Sequence, residues 1–159
     1  MPNVNAVQML ISRDPQETIV APSIGSGIAV VIYDPQVPAG GILHFLFPDS
    51  TAMDRENAER YPYAYADTGL SLFLEQAYAC GMQKRNLRIV LAGGAQTVDP
   101  PTFLNFGKRN LEAATKILNE QDLIITGSEV GGHATRTIRL KIGDGTISLD
   151  TRGQGARSL

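Results

Sequence analysis

The chain has 159 residues, with 14 Lys and Arg against 16 Asp and Glu and a net charge of −2. One domain is expected, spanning 1–159, and at this length roughly 70% of the unfolded surface is buried on folding. No basic face invites nucleic acid or anionic lipid, and no apolar run reaches transmembrane length. The single cysteine excludes an internal disulfide and fits a reducing compartment. With only two histidines beside it, no structural zinc site is expected, and no cofactor motif is present. Met1-Pro2-Asn3-Val4-Asn5 has no basic segment ahead of a hydrophobic stretch, so no signal peptide is expected and the chain is placed in the cytoplasm.

Val7 to Ile11 and Thr18 to Val20 are short strand candidates, parted by the turn at Arg13-Asp14-Pro15. Gly25-Ser26-Gly27 then forms a turn, since glycine reaches backbone angles closed to other residues. It enters the continuous apolar run Ile28 to Tyr33, which predicts a strand buried on both faces and ended by Asp34-Pro35. Ile42 to Phe47 predicts a second buried strand, entered from Gly40-Gly41 and stopped by Pro48-Asp49. Its one titratable residue is His44, and an imidazole in an apolar strand needs a hydrogen-bond partner or a chemical role.

Thr51 to Pro62 is expected to be a polar loop. Leu70, Phe73, Leu74, Ala77 and Tyr78 recur at helical spacing, with Gly81 placed as a left-handed cap. Leu87 to Ala92 predicts a strand and Gly93 to Pro101 an irregular loop. A second helix carries Leu111, Ala114, Thr115 and Leu118 on one face, and Leu123-Ile124-Ile125 predicts a short strand. Thr135 to Ile142 alternates apolar and polar residues, as a half-exposed strand does. A turn at Gly143-Asp144-Gly145 leads into Thr146 to Leu149. The tail from about 152 to 159 is expected to be mobile. The fold class is therefore α+β.

Several of these segments together are similar to the CheD family of chemoreceptor glutamine deamidases. The matching residues are Gly25-Ser26, the strand Ile28 to Tyr33 with Asp34-Pro35, Gly41, His44 and Pro48. Further along come Tyr65-Ala66-Asp67-Thr68, Gly93-Gly94-Ala95, Gly107-Lys108-Arg109-Asn110, and Gly131-Gly132 with Arg136. None is specific alone; the signal is their order and spacing, over roughly Thr18 to Leu149. The resemblance implies a central β-sandwich flanked by helices, and a cysteine hydrolase of papain-like logic. In such a site the thiol attacks a receptor glutamine amide, and histidine activates the thiol and protonates the leaving ammonia.

The implied nucleophile, a cysteine directly after Gly-Ser, falls on Gly27; the histidine falls on His44, and an orienting threonine falls on Ala21. Two of these three positions lack the functional side chain. Loss of such a nucleophile costs on the order of a million-fold in turnover. The expectation is thus a pseudoenzyme that binds a chemoreceptor or, through the 96–106 loop with Phe103 and Phe106 as aromatic anchors, a CheC-type phosphatase. The alternative for Phe103 and Phe106 is packing onto their own domain.

The competing reading is an active amidohydrolase with a relocated nucleophile, Ser23 or Ser26, acting with His44. Ser26 is expected to aim away from His44, because neighbouring extended residues face opposite sides. Cys80, the one thiol, reads as a small buried hydrophobe. A third option is a small-molecule pocket left by the missing cysteine side chain. Gly25-Ser26-Gly27 lacks the lysine and following helix of a phosphate-binding loop. His133 reads as a solvated loop residue, and Arg109-Asn110 as a structural element at a helix start.

Overall fold

The two uninterrupted apolar runs become the two central strands of a five-stranded sheet. The computed structural model describes residues 1–51, 55–96 and 105–159. Its strands are β1 (Gln8–Ser12), β2 (Thr18–Ile24), β3 (Ile28–Asp34), β4 (Ala39–Phe45), β5 (Arg88–Gly93), β6 (Gly127–Val130), β7 (Arg136–Lys141), β8 (Ile147–Thr151) and β9 (Gly155–Ser158). Its α-helices are α1 (Arg55–Arg60), α2 (Ala66–Ala79) and α3 (Phe106–Glu120). The first sheet runs β1-β4-β3-β5-β6 and the second β2-β7-β8-β9. Every residue of β3 and β4 is buried, as their unbroken hydrophobicity requires when both faces of a sheet are covered.

What covers each face follows from side-chain alternation. On one face Ile28, Val30, Ile32, Leu43, Phe45, Ile89 and Leu91 pack with Leu70, Phe73, Ala114 and Leu118 of α2 and α3. On the other, Ala29, Val31, Tyr33, Ile42, Val90 and Ala92 meet Ile19, Ala21, Ile24, Ile138, Leu140, Ile147 and Leu149 of the second sheet. The layers are therefore sheet, sheet and helices, an α+β sandwich. The helices cover the five-stranded sheet alone. The outer face of the four-stranded sheet carries the polar halves of its alternating strands, such as Thr137 and Arg139.

The structure redraws four segments. The loop expected over 51–62 contains α1, whose residues are all polar or small and bury nothing, so no apolar period announces it. Leu123-Ile124-Ile125 is not a strand: Leu123 closes the end of α3 through its N–H to the Leu118 carbonyl (2.9 Å), and bonding to β5 begins only at Thr126, whose N–H donates to the Ile89 carbonyl (2.8 Å). The tail expected to be mobile forms β9, antiparallel to β8, with Arg157 ion-paired to Glu129 of β6 across the sheet edges. β2 runs to Ile24 rather than ending at Val20, with an irregularity between Ala21 and Ile24 where Ser23 takes a positive φ of 53°. Gly81 does cap α2 with φ 104°.

Candidate functional site

Four backbone segments converge where β3 begins and β4 ends. The turn 25–27 is held through each of its carbonyls: Gly25 by the Ala95 N–H (3.0 Å), Gly27 by the Gly94 N–H (2.8 Å), and Ser26 by the Asn110 Nδ2 (2.9 Å). The same Asn110 Nδ2 donates to the Leu46 carbonyl (2.7 Å), two residues past His44. The chain after β4 is fixed in turn by α2 and the segment leading into it. Leu46 and Phe47 N–H groups donate to the Ala64 carbonyl, and the Ala66 N–H donates to Phe47. Asp67, in the first turn of α2, accepts from the Ser50 N–H and hydroxyl.

The Gly93-Gly94 loop reaches this convergence because both residues adopt positive φ, 116° and 64°, a region that favours glycine. Behind it, the buried Arg136 donates from Nη1 to the Gly93 carbonyl (3.0 Å), and the Gly131 N–H donates to the same oxygen (2.9 Å). Burial lowers the Arg136 pKa from its ordinary value. α3 sits equally close: a Cβ on Gly107 would lie 2.4 Å from the Gly94 carbonyl oxygen.

Within this frame the structure brings Gly27 and His44 together. They share the inter-sheet face, since Ile28 and Phe45 beside them both point to the helices. A Cβ on Gly27 would lie 3.1 Å from the His44 Nε2. It would also lie 2.5 Å from the Phe45 carbonyl oxygen and 3.0 Å from the Leu46 side chain. Gly27 and Gly25 have ordinary negative φ, so what requires glycine at 27 is close approach rather than a special backbone angle. The Phe45 carbonyl and the Leu46 side chain lie closest to the space beside Gly27.

His44 is 3% exposed and both its ring nitrogens lack a hydrogen-bond partner. Burial holds its pKa down at about 4, so the ring is a neutral base at pH 7. Since neither nitrogen has a partner, neither Ser23 nor Ser26 donates to it. Ser23 is exposed on the β2 irregularity, where its N–H donates to the Thr137 hydroxyl. Ala21 is fully buried in the inter-sheet core with Ala29, the cross-strand neighbour of His44, and offers it no polar atom.

The remaining candidates lie around this frame. Phe106 is half-buried, edge-to-face with Phe47 (5.7 Å between centroids), and Arg109 covers its ring. Phe103 lies outside the described residues. His133 is exposed, with Nδ1 3.0 Å from the Gln96 carbonyl. Cys80 is half-buried near the end of α2, remote in sequence and sheet position from His44. Among the described residues no group of His, Cys, Asp and Glu is arranged to hold a metal ion, and no helix is long and apolar enough to cross a membrane. Sequence reasoning placed Asn110 at a helix start but missed its role. An asparagine near a helix's start is ordinarily solvated, and the two carbonyl partners of Asn110 lie 84 and 64 residues away in sequence.

A family model described as "CheD chemotactic sensory transduction" matches residues 46–151. The chain is 36% identical over 149 residues to a probable chemoreceptor glutamine deamidase CheD 1 of Syntrophus aciditrophicus, covering 94% of this chain and 92% of that protein. It is 37% identical over 151 residues to the corresponding protein of Solibacter usitatus, covering 95% and 89%. A CheD 2 of Anaeromyxobacter dehalogenans is 35% identical over 148 residues, covering 93% and 92%. The family model begins two residues after His44, whereas these three alignments span nearly the whole chain.

Proposed function

The chain belongs to the CheD family, and on that premise we propose that it is a chemotaxis protein that binds a chemoreceptor without deamidating it. The observation that carries this reading is the pairing of positions 27 and 44. Position 27 lies beside the imidazole, and glycine supplies no atom that could attack an amide or carry an acyl intermediate. Ala21 likewise gives the ring no orienting partner, which agrees with the unpaired ring nitrogens.

A relocated serine is disfavoured on chemical grounds. Serine is ionised far less readily than cysteine and depends on a hydrogen-bonded base. His44 accepts no such bond. The relatives are named as chemoreceptor glutamine deamidases, which points to a chemoreceptor as the partner. A CheC-type phosphatase is the alternative binding partner of the same scaffold.

The test is incubation of the purified chain with a glutamine-containing chemoreceptor cytoplasmic fragment. Mass spectrometry follows glutamine-to-glutamate conversion, and calorimetry measures binding of the same fragment. Saturable binding without conversion is expected. Conversion above a no-protein control would overturn the non-catalytic reading.

A further inference from the structure

Ile124 is 77% exposed, one of three large hydrophobic residues exposed among the described ones. It does not stand alone. Ile124, Leu123 and Asp122 form one wall of a cleft of about 540 Å³, and Gln83, Lys84, Arg85 and Leu87 form the other. The two walls are rigid for different reasons. The turn at 84–86 is tied down by the Gln83 N–H to the Asp34 carboxylate (2.8 Å) and the Leu87 N–H to the Lys84 carbonyl (3.3 Å). Opposite, the Asp122 N–H donates to Asn119 (3.0 Å) and Leu123 is anchored in the core.

The charge on this cleft is unbalanced. Lys84 and Arg85 are exposed, and neither takes part in an ion pair among the described residues. Asp122 on the facing wall is the cleft's one acid, against two cations. The cleft also lies at the entry to β5, whereas the Gly27–His44 frame lies at its exit beside Gly93. An occupant here leaves that frame accessible.

We propose that this cleft is a second docking surface, taking an extended or helical protein segment in which an apolar side chain is flanked by carboxylates. The apolar side chain packs on Ile124 and Leu87, and the carboxylates meet Lys84 and Arg85. Apolar anchors ringed by complementary charge provide affinity and orientation, respectively. This rests on the reading that the chain acts by binding, but it concerns a different surface.

The test uses the full chain and a fluorescently labelled synthetic peptide with a central leucine between glutamates, read by anisotropy. Saturable binding is expected. Ile124→Asp and Lys84→Glu should each weaken it at least tenfold, equivalent to about 1.4 kcal/mol. Arg152→Glu, the same charge reversal at an exposed position elsewhere, should leave it within about twofold, and a peptide with lysines for glutamates should not bind. All three substitutions are at exposed positions, and circular dichroism checks that the variants fold. No saturable binding, or binding indifferent to the cleft substitutions, overturns the proposal. So does a dimer in sedimentation velocity that Ile124→Asp dissolves, which would assign the cleft to a second copy of the chain. Deamidation is read by mass on another ligand, so failure here leaves the non-catalytic reading standing, and the reverse.

Discussion

His44 carries two buried ring nitrogens that nothing in the protein satisfies, an arrangement that costs stability and that a chemical site tolerates better than a core does. Its pKa of about 4 against an ordinary 6.5 has a defined pH consequence. The unfolded chain binds this proton more readily than the folded one, so the associated stability is complete above about pH 6.5 and is lost as pH falls toward 4. The loss is on the order of 3 kcal/mol. His44→Leu should remove that acid-sensitive component and leave stability at pH 7 unchanged or higher, as urea denaturation at pH 7 and pH 4.5 will measure; an unchanged pH slope would contradict the burial argument. Asn110 is mixed: its amide nitrogen serves two half-buried carbonyls, while its Oδ1 is buried without a partner, so Asn110→Ala should cost about 1–3 kcal/mol in the same assay. A cost under about 0.5 kcal/mol, the range of an ordinary surface change, would refute the bridging role.

At the scale of elements, what decides the site is how closely β3, β4 and α3 approach one another. Gly27→Cys, the obvious restoration, meets the Phe45 carbonyl oxygen at 2.5 Å. A backbone atom cannot swing aside, so β3 and the end of β4 must part. Restoration by Gly27→Cys with Ala21→Thr is therefore expected to destabilise the chain by about 1–3 kcal/mol and to recover little ammonia release. Activity near that of a cysteine-bearing relative, at undiminished stability, would show that the strands open freely. Gly107→Ala carries the same logic at the α3 approach, 2.4 Å from Gly94, and should lower the melting temperature. The sequence makes some of these elements legible and others not, for physical reasons. β3 and β4 are readable because burial on both faces demands an unbroken apolar run. β9 is not, since all four of its residues are exposed and its pairing uses only backbone groups available to any sequence. Leu123 to Ile125 misleads because a short apolar run does not say whether its residues pack into a sheet or, like Ile124, face outward.

For the whole molecule, the sandwich sets Gly27, in the turn before β3, beside His44 of β4 on the inter-sheet face. The sequence allows that pairing to be named, because the spacing of Gly27 and His44 resembles a known site, but it cannot show the closeness. The contact with Phe45 and the doubled grip of Asn110 are tertiary facts with no local signature. In the proposed reading, this geometry is a catalytic frame without a nucleophile. The most direct test compares the initial rate of glutamine-to-glutamate conversion, by mass spectrometry on one chemoreceptor fragment, between this chain and a cysteine-bearing relative. A rate lower by on the order of a million-fold is expected, indistinguishable from the buffer control and unaffected by His44→Ala. A rate within about a hundredfold of the relative's, abolished by His44→Ala, would contradict it and place a working nucleophile elsewhere in the chain.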